Sequence, residues 1–435
     1  MRMRIFDSKR DDFKGFLKKR RLNQAGFTDE IQQELKTIRL DILDKGDEAL
    51  SFYTEKFDKI KLKSADFLIK EEEKLKSVNS LTKNERKSIE STIKRVYDYH
   101  SKQRIQTWFS YSDDGLVTGQ LVSPLQRVGI YVPGGKASYP SSVIMNAVPA
   151  AAAGVKEIVM VTPPSSRLNN FVIAVAVLCG VEKIFKIGGP QSIFALAYGT
   201  PAIPRVDKIV GPGNIYVATA KRMVYGDVDI DMIAGPSEIA IICDEFADPK
   251  LVAIDMISQA EHDEMAVSTL ISTSAELIGE VKHILPGLIK KEDRKDIIEK
   301  SINSNASLVL TGGIDESIEL ANELAPEHLE FYIKNPFEKL FLIKNAGAVF
   351  LGENTPEAIG DYVAGPSHVL PTGGTARFFS PLDTASFLKR TSVISSSPDF
   401  LSKSAGDVKF FSGIEGLSAH GESVSFRIKK TKRKL

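Results

Sequence analysis

The spacing of hydrophobic positions changes near residue 128. Before it, in TDEIQQELKTIRLDILDKGDEALSFYTEKF, Ile31, Leu35, Ile38, Ile42 and Leu43 recur at steps of three and four. That period predicts one amphipathic helix, with Thr28 as its N-terminal cap. From Val128 short apolar runs take over: VGIYV, EIVMVT, KIFKIG and DKIVG, separated by the helical stretches SSVIMNAVPAAAAG, NNFVIAVAVLCG, PQSIFALAYG and NIYVATAKRMVYG. A second alternating set begins at Glu238 with EIAIIC, the helix DPKLVAIDMISQAEHDE, VSTLIS, ELIGEVKHILPGLI and SLVLTG. It closes on ESIELANELAPEHLEFY, a long helical pattern that ends on Glu327 and His328. Such alternation predicts βαβ units and mostly parallel sheets covered on both faces. The expected fold is α/β, with two Rossmann-like parallel-sheet domains of similar architecture and a ligand at their strand ends or in the cleft between them. Beyond about residue 385 the pattern is less regular. SVISSSPDF reads as a loop, EGLSAHGESVSFRI as one late segment, and KKTKRKL as a solvated basic tail.

Composition narrows the class. A chain of 435 residues can form two or more domains, and 43% hydrophobic with 26% charged residues is the balance of an ordinary soluble protein. A net charge of +1 argues against a general nucleic-acid binder. The longest apolar run, Phe171 to Cys179, is too short to cross a membrane, and the charged N-terminus shows no secretion signal. Two cysteines make neither a disulfide framework nor a thiolate metal site. Cys179 in FVIAVAVLCG and Cys243 in AIICDEF read as buried small hydrophobes, and a reduced cytoplasmic compartment is expected.

Four of the six histidines have a carboxylate close by in sequence: Glu261-His262, Glu327-His328, Asp361 with His368, and Glu415 with His420. Imidazole with carboxylate suits divalent metals and proton transfer near neutral pH. Gln259 and His262, three apart at a predicted helix end, would point from one face; alone, such a pair is an ordinary satisfied histidine. GDYVAGPSHVLPTGG is too rich in Gly and Pro for a helix and reads as a loop that places Asp361 and His368. Glu327 and His328, adjacent on a helix, would point apart and serve separate roles. His420 stands isolated, while His100 and His283 read as plain helix-face residues. The glycine turns YVPGGK, IGGPQ and GPGN follow predicted strands, but none satisfies GxGxxG. Plain βα turns and a nucleotide site fit them equally.

DMIAGPSEIAI, SQAEHDE, LAPEHLE and GDYVAGPSHVLPTGGTARF, with YVPGG, GPGN and EGLSAHGE, resemble the histidinol dehydrogenase family, in family order over roughly residues 125 to 425. The resemblance implies two successive NAD-linked oxidations, from L-histidinol through a bound aldehyde to L-histidine, the last step of histidine biosynthesis. It implies one Zn²⁺ per subunit, with Gln259, His262, Asp361 and His420 as ligands. Glu327 and His328 match the acid/base pair: His328 for the alcohol proton, Glu327 for the water that attacks the aldehyde. Substrate contacts fall on Ser237, His368 and Glu415 as well as on Gln259, His262, His328, Asp361 and His420. NAD contacts fall on Tyr131, Gln191 and Asn214. The implied assembly is an intertwined homodimer in which His420 and Glu415 enter the partner's site, with no nucleic-acid or membrane partner. It divides the chain into an N-terminal helical segment 1–25, an α/β domain of 26–128 and 238–383 with most zinc and catalytic residues, an NAD-binding α/β domain 129–237, and a C-terminal segment 384–435 reaching the partner. The competing reading from the residues is a metal-dependent hydrolase with the same ligands and Glu327 activating water. A thiol-dependent aldehyde dehydrogenase is disfavoured by where the cysteines fall.

Overall fold

Strand pairing builds three sheets. The computed structural model describes residues 3–23, 28–134, 140–164, 170–233 and 235–432; the last three residues of the basic tail, the Gly135-Lys136 end of the YVPGGK turn and the ends of the 1–25 segment lie outside them. The chain forms two units, Met1–Gln103 with Leu125–Phe387, and Arg104–Pro124 with Leu388–Leu435.

The first unit holds two parallel sheets. One contains β4 (Arg127–Tyr131), β5 (Glu157–Val161), β6 (Lys183–Phe185), β7 (Lys208–Val210) and β8 (Asp229–Ile230), in the order β6-β5-β4-β7-β8. The other contains β1 (Arg4–Asp7), β9 (Glu238–Cys243), β10 (Val267–Ser272), β11 (Ser307–Leu310), β12 (His328–Tyr332) and β13 (Ala348–Leu351), in the order β1-β11-β10-β9-β12-β13. Without the added edge strand β1, both sheets run third-second-first-fourth-fifth along the chain. The expected likeness of the two α/β halves is therefore a shared strand order, with the direction of strand addition reversing between β4 and β7 and between β9 and β12.

Period-two burial explains why these strands are central. Val128, Ile130, Ile158 and Met160 pack in one core, while Tyr131, Val159 and Val161 pack in another on the opposite face. In the second sheet Ile239, Ile241 and Cys243 face one core and Ala240 and Ile242 the other. Both cysteines are free and buried, and burial pushes both thiols up.

Several expectations change here. The N-terminal periodicity makes two helices, Asp29–Lys45 and Asp47–Asp58. Gly46 separates them at φ 52°, where glycine avoids a Cβ penalty, and its N–H donates to the Ile42 carbonyl. Leu43 is 52% exposed, so the buried stripe runs through Leu35, Ile38 and Ile42 and continues through Leu50 and Tyr53. Thr28 caps the first helix by accepting from the Ile31 N–H.

The domain division also changes. Leu35, Ile38, Ile42, Leu50, Tyr53 and Phe67 share a core with Val159, Phe185 and Ile209, and Ile69 and Val96 share one with Val128 and Ile130. Residues 29–101 therefore cover the 127–230 sheet and not the 238–351 sheet, because their apolar stripes match its two faces. The N-terminal segment is a strand as well as a helix: β1 pairs in parallel with β11 and extends the second sheet.

ESIELANELAPEHLEFY is also split. Its helix ends at Leu324, Ala325 turns left-handed at φ 47°, and β12 begins at His328. Pro326 lacks an N–H and disfavours helix in the residue before it, which sets the boundary.

The second unit is regular where a loop was expected. β14 (Leu388–Ser396) pairs antiparallel with β3 (Leu116–Pro124) along nine residues, and β3 pairs with β2 (Trp108–Tyr111). Helix Pro398–Ile414 follows, capped by Ser397 and opened by a proline at its first position, and then helix Ser418–Lys432. No helix among the described residues is long and apolar enough to cross a membrane.

Candidate active site

β12 places the chemistry. Its outward alternation puts Leu329 and Phe331 into a hydrophobic core, so His328, Glu330 and Tyr332 share the other face. Against that face lies helix Pro249–Ala260, where Asp255 and Gln259 stand four apart on one side. The two periods match. The Tyr332 hydroxyl donates to Asp255, and His328 Nδ1 donates to Gln259 Oε1 at 3.0 Å. The helix stops at Ala260 with Glu261 as its C-cap, and the His262 N–H turns back to the Gln259 carbonyl, so His262 projects from the turn after the helix rather than from its face.

Asp361 reaches the same place on a short helix, Glu357–Tyr362, where a loop was expected. Pro356 starts this helix, Gly360 lies within it, and Gly365, Gly373 and Gly374 come after it. The Glu357 N–H donates to Glu330 Oε1 at 2.8 Å, which fastens the helix to β12, and Asp361 follows one turn later. His328 Nδ1 lies 3.6 Å from Glu357 Oε1 and 4.0 Å from Glu327 Oε2, and its Nε2 lies 3.7 Å from Asp361 Oδ1. His262 Nε2 is 3.9 Å from Glu357 Oε1. Glu327, just before the strand, accepts the Glu238 N–H at 3.0 Å.

Burial and mutual charge set the protonation states. Burial pushes the Glu327 carboxyl up to about 7, against the pull of His328. Burial opposes charge on His328, but Glu357, Glu327 and Asp361 outweigh it and raise the imidazole to about 10. Burial lifts Glu357 to about 8 and Glu330 to about 9. Asp361 stays below the usual carboxylate range: burial raises it, but His328, His368 and His262 together hold it down. Burial lowers His262 and His368, which keeps both neutral and able to bind a cation.

Ligand atoms of His262, Glu357 and Asp361 all lie within 4.8 Å of one another. Among the described residues no hydrogen-bond donor reaches either buried Glu357 oxygen, and Gln259 Nε2 and His328 Nε2 also lack partners. Buried Glu357 oxygens without a protein donor, beside the neutral imidazole of His262 and the Asp361 carboxylate, fit a divalent cation of the zinc type. Glu357 was not foreseen in the sequence. Its only signal is the four-residue step to Asp361 in EAIGD, which puts both carboxylates on one side of a helical turn.

The other expected residues fall at different places. Ser237 immediately precedes β9, and its carbonyl accepts the Val267 N–H. His368 Nδ1 donates to the Asp361 carbonyl at 3.0 Å, and its Nε2 lies 3.4 Å from the Ser142 hydroxyl, on a helix that covers the first sheet. Glu415 and His420 belong to the second unit, at exposed positions at the end of one helix and on the next.

The glycine turns gather at the first sheet. Tyr131 ends β4, and the turn Gly211–Asn214 follows β7, so they flank the place where strand order reverses, the usual position of a ligand crevice. Burial raises the Tyr131 hydroxyl to about 12, against a smaller lowering by the Gly189 backbone. Asn214 caps helix Ile215–Val224 by accepting from the Tyr216 and Val217 N–H groups. Gln191 is fully buried with no partner for its amide among the described residues. An unsatisfied amide, a helix N-terminus and a closely approached glycine backbone fit a dinucleotide.

The chain is similar to known proteins over nearly its whole length. A family model described as histidinol dehydrogenase matches residues 21–428. A histidinol dehydrogenase of Geobacter sulfurreducens is 50% identical over 402 residues, 92% of this chain and 94% of that one. One from Bacillus cereus is 46% identical over 424 residues, 97% of this chain and 98% of the other. The crystal structure of histidinol dehydrogenase from Elizabethkingia anophelis matches with a TM-score of 0.91 at 31% identity, covering 99% of both chains.

Proposed function

The chain belongs to the histidinol dehydrogenase family, and from that premise we propose that it oxidises L-histidinol through L-histidinaldehyde to L-histidine in two NAD-dependent steps. The observation that carries the reading is the buried group around His328, in which a neighbouring glutamate titrates near 7 and three further side chains offer ligand atoms to a cation.

His328 is the base for the alcohol. Its Nδ1–H is fixed on Gln259, which leaves Nε2 facing Asp361 and the space beside it. Glu327, ionised above about 7, activates the water that adds to the aldehyde. Ser237, His368 and Glu415 hold the substrate. Zinc, one per subunit, would be held by Gln259, His262 and Asp361, with His420 of the partner subunit, and would orient the substrate and offset the negative field that keeps His328 protonated. Glu357, beside His262 and Asp361, adds its carboxylate to the same donor group. NAD, at Tyr131, Gln191 and Asn214, would accept hydride in each oxidation. Site sharing makes the working form a homodimer, as a cytoplasmic biosynthetic enzyme.

The test is direct: protein with zinc, L-histidinol and NAD⁺, followed by NADH absorbance and by histidine formed. Two NADH per histidine are expected. No NADH would remove the dehydrogenase reading and favour metal-dependent hydrolysis.

A further inference from the structure

A buried ion pair lies under the Gly211–Asn214 turn, and neither the acid/base group nor the metal ligands use it. Lys221 and Asp231 are in contact, with side chains 4% and 2% exposed. Lys221 Nζ donates to the Gly211 carbonyl at 2.9 Å, and Asp231 Oδ2 accepts the Gly211 N–H at 2.8 Å. The other Asp231 oxygen accepts the Met232 N–H at 2.6 Å. One residue of the turn thus has both backbone polar groups gripped by a single ion pair. Lys221 sits on the helix that Asn214 caps, and Asp231 follows β8, so the grip ties the end of β7 to the elements on either side.

Gly211 itself leaves no slack. At φ 112° it has the conformation that favours glycine, and a Cβ there would meet the Tyr131 carbonyl at 2.1 Å. A buried ion pair is rarely worth more to stability than apolar side chains of similar volume. What this pair supplies, and an apolar pair would not, is a fixed position for a peptide pressed against Tyr131 and leading into Asn214.

We infer that Lys221 and Asp231 are positioning residues of the cofactor turn, holding Gly211–Asn214 preformed against Tyr131. The inference rests on the reading of that turn as the NAD site. The test uses zinc-loaded dimeric protein carrying Lys221→Met together with Asp231→Asn, which removes both charges and leaves no buried charge unpaired. NAD⁺ affinity is expected to weaken by about ten-fold or more, with zinc affinity unchanged. Amide exchange is expected to accelerate over residues 211–217 and to stay slow in β9. Unchanged NAD⁺ affinity in the folded variant overturns the inference. If the wild-type protein binds no NAD⁺, the cofactor reading falls, and exchange over 211–217 alone then judges the grip: unchanged protection overturns it. Asp231→Glu, which keeps the charge and shifts the carboxylate by one methylene, is the milder second variant. It carries the same expectation if the double variant does not fold.

Discussion

His328 and Gln259 form a buried pair in which the imidazole Nδ1–H donates to the amide oxygen at 3.0 Å. This bond decides which ring nitrogen is free to act. Gln259→Leu removes the acceptor while keeping the volume, and the ring loses its fixed tautomer. A fall in kcat of about 10- to 100-fold is expected, the range for partners that orient a working histidine. Zinc affinity should fall too, if the amide oxygen is also a ligand. Steady-state kinetics with a chelator titration separates the two effects, and unchanged kcat at saturating zinc would remove the orienting role.

Glu327 sets a pH limb. Its carboxyl is raised to about 7 by burial, and the form that activates water is the carboxylate. Rate through the aldehyde step should therefore rise with pH across 7 and level above it. Glu327→Gln should abolish that limb and slow aldehyde oxidation more than alcohol oxidation. Feeding histidinaldehyde directly, over a pH series, gives the answer; equal losses in both steps would make Glu327 structural.

Glu330 fastens the helix that carries Glu357 and Asp361. Glu330→Leu leaves the Glu357 N–H buried and unpaired, a loss of about 1–3 kcal/mol, and should loosen zinc binding. Glu330→Gln retains an acceptor and should bind zinc normally. The sign of its pH effect is fixed. A carboxyl raised to about 9 in the fold contributes stability that is fully present below its unfolded value of about 4.3 and is lost as pH rises through 9. The amide has no such dependence, so the Tm of Glu330→Gln relative to wild type should climb steadily between those limits.

Shared sites have a stoichiometric signature. His420→Asn and Asp361→Asn should each be inactive alone. After mixing and subunit exchange, random pairing gives half heterodimers with one intact site of two, so about a quarter of wild-type activity returns. No recovery despite confirmed heterodimers would place His420 outside the partner's site.

The cysteines should be dispensable for chemistry. Cys179 and Cys243 are both buried, with thiols pushed far from ionisation. The double alanine variant should keep its kcat, with a stability loss on the order of 1 kcal/mol per site from the small voids left. Loss of kcat in a folded variant would revive a thiol mechanism.

Seven strands of the two parallel sheets, β4 to β7 and β9 to β11, are legible because buried strands read as bare apolar runs such as EIAIIC and VSTLIS. Where the reading failed, a local signal was outweighed. Leu43 keeps helical spacing yet faces solvent, because it lies off the stripe of Leu35, Ile38 and Ile42 that meets the core. HLEFY reads as the end of a helix because its alternation hides a functional face: His328, Glu330 and Tyr332 are polar or amphipathic where a core strand is expected to be apolar. β14 reads as a loop because LKRTSVISS has little apolar content to mark it, and its pairing with the distant β3 is invisible to any local window. For the site, long motifs located most residues by resemblance, whereas Glu357 and Glu330 appear only once a helix and a strand are laid side by side.

The nine-residue pairing of β14 with β3 also governs the order in which this chain can be made. On the ribosome β2 and β3 emerge first and must wait while both parallel sheets are synthesised. A lone two-stranded hairpin is marginal in water, and the unpaired edge of β3, with Trp108, Phe109 and Tyr111 exposed next to it, is a template for neighbouring chains until Leu388–Ser396 arrives. Closing so long a loop is entropically slow, so the yield of native protein is expected to depend on the interval between the synthesis of β3 and that of Leu388–Ser396.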